Sequence, residues 1–300
     1  MKRPDFSRLW LVSFADSHLS DPLRRLRRQA LHFGFDEDHI LTMNENDLAA
    51  DFREKMRDHL IPGSRGYGYW CWRGQVVLQA FDKMRDGDIL TFLDAGCHLN
   101  HRGRARFADF VEFADKQGIL GFIPRYPDQS ETDPYEGGTD RKWTKGDLLD
   151  FFGVRDNRAV TETGQVSGGI FLAKKCPEAI AFFTRMRQIA TEHFHLIDDS
   201  PSISPGLPGF IENRHDQSLM SLMYKTAGYH SISFFENWPP RRGYDPKNFP
   251  NDIRLGKAFF DNIKNQPFHS WSDKATGIKQ IIPIRLRYFL NQLKTKLRCK

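Results

Sequence analysis

Apolar positions along the first 125 residues alternate between two spacings. Leu9–Phe14 is a short run interrupted only by Ser13, as expected of a buried strand. Ser20-Asp21-Pro22 then places a proline in the first turn of a helix, and Leu23, Leu26, Ala30 and Phe33 follow at helical spacing until Gly34. Residues 39–43 predict a second strand, and Asp47 is a candidate cap for a helix carrying Leu48, Phe52 and Met56 on one face. Val76, Val77, Ala80, Phe81 and Met84 mark the next helix, and Gly87-Asp88 turns into the apolar strand Ile89–Leu93. Phe107, Phe110, Val111 and Ala114 predict a helix and residues 119–123 a strand. Strands alternating with helices imply an α/β fold, a mostly parallel central sheet with helices on both faces.

The pattern then breaks. Residues 126–166 are rich in Asp, Gly, Thr and Arg, with one short helix expected near 147–152; they read as an excursion over the active edge of the sheet. Residues 169–173 return to strand, Pro177 opens a helix with Ile180, Phe183 and Met186 on one face, and 198–215 is a Pro/Gly/Ser-rich loop. A helix is expected over 217–226, and 235–270 is loop-rich.

Composition and charge narrow the class. The 25 Phe and 6 Trp among 300 residues oppose disorder. The net charge of +6 divides unevenly: residues 277–300 hold seven basic residues and no acid, which leaves residues 1–276 at −1. A nucleic-acid-binding body is therefore not indicated. In the tail, Leu286, Phe289, Leu290, Leu293 and Leu297 form one apolar stripe, surrounded by Arg285, Arg287, Lys294, Lys296, Arg298 and Lys300. This predicts a basic amphipathic C-terminal helix that either packs on the domain or lies in an anionic membrane surface. No apolar run approaches the roughly 18 residues that span a bilayer, no secretion signal is visible, and the four cysteines form no C-x-x-C pair. The expectation is a cytoplasmic protein, with the tail offering peripheral attachment to the inner membrane face.

Candidate chemistry clusters in a few places. In Asp88-Ile-Leu-Thr-Phe-Leu-Asp94-Ala95-Gly96-Cys97, an acid ends a buried strand and small residues follow at once. Ligands of open α/β sheets bind outside the carboxyl ends of strands, so Asp94 suits a metal or a ribose hydroxyl, or else only caps the turn. Arg65-Gly66-Tyr67-Gly68-Tyr69-Trp70-Cys71-Trp72-Arg73 packs four aromatic rings beside cations, fit either for stacking on a sugar or base or for plugging the core. Glu212-Asn213-Arg214-His215-Asp216-Gln217 opens a helix; Asp216 is an N-cap or a working acid. Gln165-Val166-Ser167-Gly168-Gly169 is a small-residue turn leading into a strand, and His269 stands in a Pro-Phe-His-Ser-Trp segment. The usual phosphate-loop, dinucleotide, zinc-protease and serine-hydrolase motifs are absent.

In this order the motifs resemble the GT-A class of nucleotide-sugar-dependent glycosyltransferases. They are similar in particular to bacterial glycosyltransferases of polysaccharide or lipopolysaccharide assembly. The likeness rests on residues 66–73, 87–96, Trp143-Thr144-Lys145, Ser167-Gly168-Gly169 and Arg214-His215-Asp216-Gln217-Ser218. Two departures stand out: Arg73-Gly74 where the group has Lys-Pro, and D-A-G where many GT-A enzymes carry D-x-D. The resemblance implies one GT-A-like, Rossmann-like domain over residues 1–276, followed by the tail at 277–300. It also implies transfer of a sugar from a nucleoside-diphosphate sugar to a hydroxyl of a glycan or lipid-linked acceptor, with Mg²⁺ or Mn²⁺ as the cation. Donor contacts would come from Tyr69, Trp70, Trp72, Arg73, Asp94, Ala95, Gly96, Lys145 and His269, with Asp94 the metal or ribose ligand and Arg73, Lys145 and His269 facing the diphosphate. Ser167, Gly168, Gly169, Arg214, His215, Asp216 and Gln217 would meet the acceptor, with Asp216 orienting or deprotonating its hydroxyl. Two other readings use the same residues: a metal-dependent hydrolase of sugar phosphates, and a non-catalytic nucleotide-sugar or glycan-binding module.

Overall fold

A computed structural model describes residues 4–124, 138–234 and 267–270. Its elements run in the order β1 (Leu9–Phe14), α1 (Ser20–Phe33), β2 (Ile40–Met43), α2 (Ala50–Lys55), α3 (Gly66–Tyr69), α4 (Arg73–Lys83), β3 (Ile89–Leu93), β4 (Cys97–Leu99) and α5 (Arg104–Gln117). There follow β5 (Ile119–Leu120), β6 (Phe122–Ile123), α6 (Asp140–Trp143), α7 (Gly146–Phe151), α8 (Arg158–Thr161), β7 (Ile170–Lys174), α9 (Pro177–Glu192), α10 (Asp216–Thr226), β8 (Ile232–Ser233) and β9 (Phe268–Ser270).

The main sheet has the order β2-β1-β3-β7-β5. β1 is parallel to β2 and to β3, whereas β7 is antiparallel to β3 and β5, so only β7 runs against the others. Every residue of β1 and β3 is buried, which explains their largely apolar sequences, broken only by Ser13 and Thr91. Successive side chains face opposite sides. Leu9 and Leu11 pack with Leu26, Phe33, Phe107 and Phe110 of α1 and α5. Trp10, Val12 and Phe14 pack with Val77, Phe183 and Leu219 of α4, α9 and α10. Helices therefore cover both faces, as the alternation of spacings predicts.

Local signals mostly hold. Gly34 ends α1 at φ 111°, and Arg104 donates to the carbonyls of His32 and Phe33 beside it. Asp88, at the start of β3, accepts the Trp10 indole N–H at 3.0 Å and serves the core. Two expectations are corrected. Asp47 does not cap α2; its carboxylate accepts the Asn44 N–H at 2.8 Å in a capping box one turn earlier, and α2 begins after Ala49 without a side-chain cap. The single strand expected over 119–123 is two, because Gly121 leaves the ladder to donate its N–H to the Tyr224 hydroxyl at 2.9 Å. β6 then pairs with β8 in a separate sheet.

The excursion contributes three short helices, α6, α7 and α8, among its described residues. No helix among the described residues is long and apolar enough to cross a membrane. The tail at 277–300 lies outside the described residues, as does most of 235–270.

Candidate functional site

From β1 the chain moves outward to β2 and then crosses back to β3 on β1's other side. The carboxyl ends of β1 and β3 thus form a topological switch point, where open α/β sheets leave a crevice. A cleft of about 420 Å³ opens there. Its walls are Ala15, Asp16 and His18 after β1, Asp94, Ala95 and Gly96 after β3, Tyr67, Trp70 and Trp72 from the aromatic segment, and Gly169 before β7.

Asp94 is fixed from two sides. Its backbone N–H donates to the Gly169 carbonyl at 2.9 Å, and its Oδ1 accepts from Arg73 Nη1 at 3.2 Å. A Cβ on residue 169 would stand 2.4 Å from Asp94 Oδ2, so only glycine admits this carboxylate. Arg25 of α1 donates to the Ala95 and Cys97 carbonyls at 2.7 and 3.1 Å and holds the same turn from behind. Arg73 Nε also donates to Asp216 Oδ2. Asp216 is the first residue of α10 and is 4% exposed, whereas the Asp94 side chain is 41% exposed. Burial pushes the Asp216 carboxyl up to about 6 against the pull of Arg73, and the Asp94 charge adds to the push.

The aromatic segment has an unusual backbone. Residues 66–70 all have positive φ: 60° at Gly66, 50° at Tyr67, 82° at Gly68, 53° at Tyr69 and 58° at Trp70. α3 is thus a left-handed turn, a conformation that costs each non-glycine residue about 1–2 kcal/mol. His215, with φ 57° and ψ −127°, is strained as well and lies against it. The imidazole stacks on Tyr69 at 5.0 Å and tilts against Trp70 at 5.4 Å, and its Nε2 is 2.9 Å from Asp199 Oδ1. Burial holds the His215 pKa below its ordinary value although the Asp199 hydrogen bond works the other way. Phe14 braces the cleft side of the turn, with Trp72 at 4.1 Å and Tyr67 at 6.3 Å.

A buried polar network supports the far wall. Asp140 accepts from Lys225 Nζ at 2.6 Å, Ser221 at 2.7 Å, Thr144 at 2.9 Å and Gln165 at 3.0 Å. Gln217 donates to Gln165 at 2.7 Å and accepts the Gly168 N–H at 3.2 Å, while the Ser167 N–H donates to the Phe122 carbonyl at 2.8 Å. Excursion, turn and α10 are locked together here.

Of the expected donor residues, the cleft brings together Trp70, Trp72, Asp94, Ala95 and Gly96. Arg73 lies one layer behind it, through Asp94, and Tyr69, which is not among the lining residues, stacks on His215. Lys145 is 3% exposed and gives its ammonium to Asp198 and to the His195 and Ser200 carbonyls; it is not among the lining residues. His269 stands in β9, opposite His98 of β4 in the register. Of the expected acceptor residues only Gly169 lines the cleft; Ser167, Gly168, Asp216 and Gln217 are supporting groups, and Arg214 lies over the Trp143 ring at 3.7 Å. Sequence reasoning missed Asp16, His18 and Tyr67. Asp16 carried the signal used for Asp94, an acid just past a buried strand, and Tyr67 sat unselected in the aromatic segment.

The resemblance implies Mg²⁺ or Mn²⁺. Among the described residues no three His, Cys, Asp or Glu side chains converge as ligands, and one Asp94 oxygen is engaged by Arg73. These residues alone do not form a cation site, and no step is assigned to one.

No known family and no curated protein matches the chain in sequence. Three solved structures similar to it in shape are glycosyltransferases. Mouse xyloside xylosyltransferase 1 aligns over 87% of this chain and 97% of its own, with 12% identity and a TM-score of 0.43. A glycosyltransferase involved in the glycosylation of the major capsid of PBCV-1 aligns over 87% and 91%, with 10% identity and a TM-score of 0.40. The galactosyltransferase LgtC, solved with donor and acceptor sugar analogs, aligns over 87% and 86%, with 10% identity and a TM-score of 0.40.

Proposed function

We propose that the protein is a GT-A-type glycosyltransferase that moves a sugar from a nucleoside-diphosphate sugar to a hydroxyl of a glycan or lipid-linked acceptor. The observation that supports this most is the cleft at the β1–β3 switch point, where one solvent-reaching carboxylate, Asp94, faces an aromatic wall. Flat apolar rings beside a hydrogen-bond acceptor suit a sugar or nucleoside. Tyr67, Trp70 and Trp72 offer the ring faces; Asp94 and Asp16 accept from hydroxyls. No Lys or Arg lines the cleft among the described residues. His269, in the strand paired with β4 next to the 94–97 turn, is our candidate for charge near the diphosphate.

The basic tail at 277–300 would hold the enzyme on an anionic membrane surface, where a lipid-linked acceptor is within reach.

A melting-temperature screen of the full chain with nucleotide sugars, with and without Mn²⁺, tests the donor half, since a ligand that binds only the folded state raises the midpoint. Asp94→Asn should then cut transfer by at least about a hundredfold. Failure of every nucleotide sugar to shift the midpoint, or near-normal turnover in the variant, overturns the assignment.

A further inference from the structure

Among the described residues Arg73 is the largest fully buried side chain, and its charge sits in an enclosed seat. The Phe92 ring lies 4.7 Å and the Trp72 ring 5.2 Å from the guanidinium carbon. Nε donates to Asp216, and Nη1 to Asp94 at 3.2 Å. One guanidinium thus ties the start of α4 to the end of β3 and to the start of α10. Neither Arg73 nor Asp216 has a surface on the cleft. Of the three charges only Asp94 reaches solvent to any extent.

We propose that Arg73 is a positioning residue, that its fork aims the Asp94 carboxylate at the cleft, and that Asp216 acts on a ligand only through Arg73, as its buried counter-ion. A planar fork can serve two carboxylates in fixed directions, which a point-charge ammonium cannot do. A buried cation needs a partner with no other duty, and Asp216 is placed for that. On Asp94's other side Gly169 leaves the space that the carboxylate occupies, since a Cβ there would stand 2.4 Å from Oδ2. The phenyl ring below Arg73 belongs to the sheet itself: Phe92 of β3 opposes Phe171 of β7 in the register, with the rings stacked at 4.9 Å. Asp94's direction is thereby referred to the central sheet.

The kinetic arm of the test rests on the transferase reading; the melting arm does not. Full-length Arg73→Ala leaves a seat of guanidinium shape between Phe92 and Trp72. Millimolar methylguanidinium should raise its melting temperature by at least about two degrees more than that of wild type. The gain should vanish in Arg73→Ala/Asp216→Asn and shrink in Arg73→Ala/Asp94→Asn. No gain in the single variant, or equal gains in all three, overturns the proposal. With a nucleotide sugar that wild type uses, Arg73→Lys should lower kcat/KM at least about tenfold, and the same change should have little further effect once Asp94 is already Asn. Methylguanidinium should recover part of the kcat lost in Arg73→Ala. An equal loss in the Asp94→Asn background would mean that Arg73 acts other than through Asp94 and overturn the proposal. Wild type that transfers no sugar would sink the transferase reading alone, and the melting arm would still decide whether Arg73 is seated between Asp94 and Asp216.

Discussion

At the scale of single residues, burial decides what each carboxylate does. Asp94 and Asp216 both stand at element ends in the sequence, yet one faces the cleft and the other is enclosed with Arg73. Burial pushes Asp216 up to about 6, whereas aspartate in an unfolded chain titrates near about 3.9. Between those values the folded protein keeps a proton that the unfolded chain has released. This group's contribution to stability therefore falls as pH rises from about 4 to about 6, then levels off, a difference of about 3 kcal/mol. Asp216→Asn lacks the titration. Wild type should lose several degrees of melting temperature relative to the variant between about pH 4 and pH 6.5. His215 pulls the other way but is common to both proteins, and a gap that stays constant with pH would refute the assignment. Gly169→Ala is the matching steric test: its Cβ would meet Asp94 Oδ2 at 2.4 Å. Ligand binding or turnover should fall at least about tenfold, because misplaced groups at a site cost that much. A normal titration of the donor would show that Asp94's placement is unimportant.

At the scale of elements, the left-handed turn at residues 66–70 is the costly piece. Three non-glycine residues hold positive φ there, and the ring contacts of Tyr67, Tyr69 and Trp70 with Phe14 and His215 offset the strain. Such strain persists only where surrounding structure over-determines it, and it clusters at ligand sites. Gly68→Ala adds strain at φ 82° and brings a Cβ within 2.9 Å of the His59 carbonyl oxygen. It should cost about 2 kcal/mol or more in urea unfolding. Gly153→Ala, at φ 63° with nothing within 4 Å, should cost only the backbone part, about 1 kcal/mol. Equal costs would mean that the turn is not tightly seated. The aromatic segment was visible in the sequence as four rings beside two glycines. Its hand was not, because nothing in residue spacing distinguishes a right-handed turn from a left-handed one that later contacts hold in place.

At the scale of the whole molecule, the membrane role proposed for the tail can be tested apart from the body. Full-length protein should co-sediment with vesicles in proportion to their anionic lipid, and a chain ending at Gly277 should not. Each basic residue near such a surface contributes on the order of 1 kcal/mol, so the loss should be nearly complete. Binding unchanged by the truncation would remove the tail as an anchor. The order of strands and helices, the two covered faces of the sheet and an acid at the end of β3 were legible from the sequence; that Asp94 shares a site with the aromatic segment was implied only by the resemblance. Apolar periodicity is a local property, and acids at strand ends follow from it. The sequence could not show that β7 runs antiparallel, that residues 119–123 split at Gly121, or that Lys145, Arg73 and Asp216 turn away from the cleft. Strand direction and side-chain enclosure are set by contacts between segments far apart in the chain, such as Arg73 with Asp216 and Gly121 with Tyr224. Whether a charge meets a ligand or a buried counter-ion depends on what the rest of the fold brings to within hydrogen-bonding distance, and no local pattern encodes that.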